Sequence, residues 1–177
     1  MPSKPKKPIS RSSLPQLQVQ PEHREIAHLL PLYDIGGQPY FGYRMVLAAR
    51  LFDRRIIEIL GETGDLTLPQ WRVVAQLGLI ATGTVRSLAD GASVDRAEVS
   101  RAIKELAALG YVERTENAAD KRSPTFALSE PGRKIFGSVR KPIGKFIRQL
   151  VDDLQPNELE AANKVLWAIT RGCLKRQ

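Results

Sequence analysis

Between Thr84 and Gly132 the chain carries a succession of helix starts, stops and turn residues that admits few architectures. Thr84 is placed to cap a short helix carrying Leu88 and Ala89, and Gly91-Ala92-Ser93 breaks it. Asp95 opens a second helix with Glu98 three residues on, the spacing of a capping box that satisfies two orphan amides. Val99, Ala102, Ile103, Leu106 and Leu109 then recur at helical steps, so one stripe is buried. Gly110 supplies the stop. Beyond it, Tyr111 to Thr115 and Thr125 to Leu128 read as two strands around a polar loop, Glu116 to Pro124. The other side of the second helix presents Arg96, Ala97, Ser100, Arg101 and Lys104. Small residues there permit close approach, and the donors suit bases and phosphates.

On an isolated helix such a side is an ordinary solvated face. The turn before it and the ribbon after it favour a winged helix-turn-helix, an arrangement that lays one helix in the DNA major groove. The net charge of +8 is weaker support than it looks. Half of it comes from residues 1 to 24, where Lys4, Lys6, Lys7, Arg11 and Arg24 face only Glu22. Residues 84 to 134 hold nine Lys/Arg against eight Asp/Glu. Local placement therefore matters more than bulk charge, and Arg96, Arg101, Lys104, Lys121 and Arg122 are the cations in question.

Residues 1 to 21 hold five of the twelve prolines and no periodicity, which reads as a disordered basic arm. Ile26 to Leu30 is a candidate short helix, and Gly36-Gly37 with Pro39 a loop. A long helix is expected from about Tyr40 to Leu60, carrying Tyr43, Val46, Leu47, Leu51, Phe52, Ile56 and Ile59 and ended by Gly61 and Gly64. Thr67-Leu68-Pro69-Gln70 is a capping box opening a helix with Trp71, Val74, Ala75 and Leu77. Ser129 caps another helix, where Pro142 and Gly144 predict a kink or break near residue 141. A last helix starts near Pro156 with Leu159, Ala162, Leu166 and Ile169. The expected organisation is mainly α with a small β-hairpin wing. It has an arm at 1–21, linking and dimerisation helices at 22–64, a winged helix-turn-helix at 65–132 and C-terminal dimerisation helices at 133–177.

Val139, Ile143, Phe146 and Leu150 follow a 4-3-4 spacing. That spacing fits an internal core or a seam between two copies. Their flanking position favours the seam, with Leu154, Leu159 and Leu166 as further members.

Taken together the chain resembles the multiple-antibiotic-resistance regulator (MarR) family of bacterial transcription factors. The matching residues are Leu66 to Trp71, Leu88-Ala89, Val99-Ser100-Arg101 with Leu106, Gly110 to Arg114, Asp120 to Ser123 and Leu128 to Gly132. The resemblance spans roughly residues 40 to 171 and implies a dimer with two winged lobes on double-stranded DNA. It also implies that Asp120 and Arg122 work as a unit in the wing, with Lys121 beside them. There a carboxylate would aim a guanidinium into the narrow minor groove. Thr84, Arg86 and Ser87 would meet phosphates. Glu98 stands where the family often has a hydroxyl; it serves the cap or accepts from a cytosine amino group. A small aromatic or heteroaromatic acid effector is implied too, with Tyr40, Tyr43, Arg44, Trp71 and Arg72 as candidate contacts. Tyr43 and Trp71 at helical spacing are, however, more often core than pocket residues.

Other classes find less support. The single Cys173, near the end, argues against disulfides, a Cys-rich zinc site and peroxide sensing by an early cysteine. His23 and His28 do not make a metal cluster. Asp152-Asp153 point apart on a helix, and no catalytic triad or phosphate-binding glycine loop is present, so no enzyme activity or cofactor is expected. No run approaches the roughly 18 to 20 apolar residues of a membrane span, and the basic amino terminus lacks the apolar stretch of a secretory signal; the reading is cytoplasmic. The function this predicts is a ligand-released repressor on a (pseudo)palindromic operator, the alternative being an activator or an architectural DNA-binding protein.

Overall fold

The computed structural model describes residues 34–35, 38–39, 41–64, 66–92, 94–115 and 124–174, with only the backbone at 34–35, 38–39, 41 and 43. The expected arm, the helix at 26–30, His23, His28 and the wing tip at 116–123 lie outside them. The chain divides into two compact units, residues 1–54 and 55–177. In the first, β1 (Asp34–Ile35) pairs antiparallel with β2 (Gln38–Pro39), so Pro39, expected in a loop, belongs to a strand; the opening turns of α1 (Phe41–Thr63) follow. Gly61 lies inside α1, and the helix ends only before Gly64.

The second unit is built around α2 (Leu68–Ile80). Its start is the expected capping box: Thr67 N–H donates to Gln70 Oε1 at 2.9 Å, while Thr67 Oγ1 accepts from Gln70 N–H. The helix buries Gln70, Trp71, Val73, Val74 and Leu77 on one side, against α3 (Val85–Ala92), α4 (Arg96–Ala108) and α5 (Glu130–Gln149). Val74, Leu88, Leu106 and Val139, one from each of these helices, are fully buried together. Each such side chain is worth about 1.5–3 kcal/mol of burial, so the four helices form one core.

Ala81 turns the chain from α2 with a φ of 66° into β3 (Thr82–Thr84), a strand not expected from the sequence. β3 pairs with β5 (Thr125–Leu128), which pairs on its other edge with β4 (Val112–Thr115), both antiparallel. The ribbon is thus a three-stranded sheet. Its inner register sets Val112 against Leu128 and Thr115 against Thr125, whose hydroxyls lie 2.7 Å apart.

Helix α4 ends in a Schellman turn: Tyr111 N–H reaches Leu106 O, Gly110 N–H reaches Ala107 O, and Gly110 takes a φ of 73°. Leu109, expected in the buried stripe, is the C-cap residue and is exposed. Helix α5 starts at Ser129, whose Oγ accepts from Gly132 N–H and donates to Gly110 O. A Cβ at Gly132 would run into the Tyr111 carbonyl, so only glycine lets α5 approach the foot of β4 so closely. α5 shows no break near residue 141 and continues past Pro142 to Gln149. The hydrogen bond lost at Pro142 frees the carbonyl of Ser138, an exposed residue whose backbone water can satisfy. α6 (Pro156–Leu174) contains no buried residue.

Candidate nucleic-acid interface

Two helices present the groups expected to meet DNA. α3 begins at a reciprocal pair: Ser87 N–H donates to Thr84 Oγ1 at 3.2 Å, and Thr84 N–H donates to Ser87 Oγ at 2.9 Å. Both hydroxyls thus hold the helix start, with Ser87 Oγ also donating to Thr84 O. Arg86 between them is exposed. At its far end α3 is tied to α2 by Gln76 Nε2, which donates to Gly91 O at 3.0 Å.

In α4 the Asp95 carboxylate accepts from Ala97 N–H at 2.8 Å and is the cap. Burial follows the expected stripe in Val99, Ala102, Ile103 and Leu106. Arg96, Ala97, Arg101 and Lys104 are exposed and Ser100 half-exposed, so the structure gathers all five residues on the solvent side of one helix. A contact not expected from the sequence also ties α4 to α2. Gln70, buried in α2, donates through Nε2 to Glu105 of α4 at 2.8 Å while its Oε1 holds the α2 cap. One carboxamide therefore joins the start of α2 to α4. Of the ribbon, Glu113 and Arg114 are exposed in β4; Asp120, Lys121 and Arg122 lie outside the described residues.

The scaffold under this face has known counterparts. Residues 64–123 match the sequence profile of the MarR family. A mutant of MarR from E. coli, solved in complex with operator DNA, is 26% identical with a TM-score of 0.64, covering 72% of this chain and 91% of that one. A MarR family transcriptional regulator from Streptomyces coelicolor, solved in complex with DNA, shares the fold at 19% identity and a TM-score of 0.71, covering 82% and 92%. NadR in complex with 4-hydroxyphenylacetate shares it at 18% identity and a TM-score of 0.66, covering 78% and 96%. No curated protein sequence matches the chain. The winged helix-turn-helix with flanking helices is thus the fold, and MarR-family regulators are DNA-binding proteins.

Several residues assigned from the sequence stand elsewhere in this fold. Val139 and Ile143 are buried in the subunit's own core with α2, so the face assigned to a seam between copies is filled internally at those two positions. The spacing could not tell the two apart, because any partner helix accepts the same stripe. Phe146 is partly buried against that core, Leu159 is half-buried, and Leu150, Leu154 and Leu166 are exposed. Exposed beside them are Ile147, Val165, Trp167 and Leu174, of which Ile147 and Trp167 stand off the stripes that sequence spacing singled out.

Trp71 is a core residue, 9% exposed, with its ring 6.1 Å from that of Phe136. Arg140 caps the outer end of this aromatic pair, 5.6 Å from the Phe136 centroid. Arg72 is half-buried. Arg44, in the first unit, is half-buried and its Nε has no hydrogen-bond partner among the described residues. Tyr40 and the Tyr43 side chain lie outside the described set. In α1 the Glu58 carboxylate, 2.8 Å from Arg55, raises that guanidinium's pKa, with no consequence near neutrality. Among the described residues no three His, Cys, Asp or Glu side chains gather as a metal site, and no helix is long and apolar enough to cross a membrane.

Proposed function

We propose that this protein is a dimeric, sequence-specific DNA-binding transcriptional regulator, a repressor on a (pseudo)palindromic operator, released by a small aromatic acid. The observation that carries the reading is the exposed side of α4. Arg96, Ala97, Ser100, Arg101 and Lys104 face solvent on a helix whose other side is locked in the core. A rigid helix with short side chains and long donors is what a major groove accepts. The operator-bound E. coli relative supports the same use.

Dimerisation draws support from α6. Nineteen residues with none buried would be marginal as a lone helix in water, and its apolar residues need cover. Leu150, the C-cap residue of α5, is 53% exposed, and Leu166 and Trp167 of α6 are 49% and 66% exposed. A two-fold pair would bury them and place two copies of α4 about one helical turn of DNA apart. The wing would add Arg122, aimed by Asp120, in the minor groove. The effector reading draws on the relative bound to 4-hydroxyphenylacetate and on Arg44 Nε, a donor suited to a carboxylate that has no hydrogen-bond partner among the described residues.

Titrating the full chain against a labelled duplex of the DNA flanking its own gene, and against a scrambled duplex of equal composition, tests the reading. Two chains should bind per native duplex, at least about a thousandfold tighter than the scrambled one at physiological salt. Equal affinity for both duplexes would refute sequence-specific regulation. A melting temperature unmoved by 4-hydroxyphenylacetate and similar aromatic acids would remove the effector.

A further inference from the structure

We infer that α4 reads each half-site through guanines and thymine methyl groups, with Arg101 and Lys104 as the guanine donors and Ala97 against a methyl. The inference rests on the DNA-binding reading above and says which bases that face selects. At 3.6 residues per turn, Ala97, Arg101, Lys104 and Ala108 fall on one line of α4, and all four are exposed. That line runs opposite Val99, Ala102, Ile103 and Leu106, so it is the part of the helix that would meet the groove floor. Its chemistry is one-sided. It offers cationic donors and methyl groups and no carboxylate or carboxamide.

The acids of this helix are engaged or turned aside. Asp95 holds the Ala97 amide at 2.8 Å, and Glu105 receives Gln70 Nε2 at 2.8 Å. Glu98 is two turns before Glu105, hence on the same flank, and is half-buried there. Arg96 and Ser100 lie on the other flank, where a helix seated in a groove meets phosphates.

In the major groove guanine alone presents two acceptors side by side, N7 and O6. Adenine pairs its acceptor with an amino donor and calls for Asn or Gln, while cytosine offers an amino donor and calls for a carboxylate. Thymine offers a methyl and one acceptor. A face of donors and methyls therefore complements guanine and thymine and leaves adenine and cytosine edges unmatched.

The test selects duplexes from a random-sequence pool with the full chain. The recovered duplexes are then remade with 7-deazaguanine, which pairs normally but lacks N7. Recovered sites should carry fixed guanines in both halves, and 7-deazaguanine at those positions should weaken binding about tenfold. The double variant Arg101→Ala, Lys104→Ala should bind the normal and deaza duplexes equally well, with an unchanged melting curve because both side chains are exposed. Fixed adenines or cytosines without a fixed guanine would overturn the inference, and so would deaza duplexes bound as tightly as normal ones. A pool that yields no enriched sequence would instead overturn the sequence-specific reading beneath it.

Discussion

Replacing Gln70 with Leu keeps the volume of a side chain only 7% exposed but removes both of its polar contacts. Thr67 N–H, at the start of α2, loses its acceptor at 2.9 Å. A neutral hydrogen bond of this kind is worth about 1 kcal/mol. Glu105 loses a donor at 2.8 Å, and bonds to a charged group are worth about 1.5–3 kcal/mol. Glu105 is exposed, so water recovers much of the second contribution. Better burial of the Leu side chain offsets little, since no cavity is filled. The net expectation is about 1–3 kcal/mol of destabilisation, measured by urea unfolding at fixed protein concentration. Glu105→Ala breaks only the outer bond and should cost less than Gln70→Leu. The double variant should fall short of the sum of the two single changes by about 0.5–3 kcal/mol. A Gln70→Leu chain within about 0.5 kcal/mol of wild type would refute the view that this carboxamide ties α2 to α4.

Other substitutions test other parts of the scaffold. Gly110→Ala meets no atom within 4 Å, so its cost is conformational alone, about 1–2 kcal/mol for a left-handed residue, read from the same urea curves. Gly132→Ala puts a methyl into the Tyr111 carbonyl and should cost about 1–3 kcal/mol, with altered amide exchange in β4. Leu150→Asp or Leu166→Asp should dissociate the pair in sedimentation at micromolar chain; a variant that stays dimeric would move the interface off α5 and α6.

The local grammar of this chain is readable where two independent signals coincide. Thr67 with Gln70, Asp95 before a periodic stripe, and Gly110 after one each define a helix end, and all three ends are where the residues place them. β3 escaped notice because Thr82-Gly83-Thr84 is three residues long, shows no apolar alternation and exists only by pairing with β5, far along the chain. Pro142 reads as a break because the sequence does not show that Ser138, four residues before it, is exposed. The solvent face of α4 was legible from periodicity alone. Its tie through Gln70 and Glu105 was not, since Gln70 already had a complete explanation as a capping residue. The stripe through Val139 and Ile143 could be divided between core and surface only by a fold that shows where α2 ends.

The account's central claim, that the outer line of α4 lies against DNA, is tested most directly by photocrosslinking. Cys173 is the single cysteine, exposed near the end of α6, so Cys173→Ser gives a background in which Ala97→Cys can carry an aryl azide. On a duplex recovered by the full chain, the probe at residue 97 should attach to bases inside each half-site, and the same probe on Asp153→Cys should attach nowhere. A bound duplex that the residue 97 probe never labels would contradict the account.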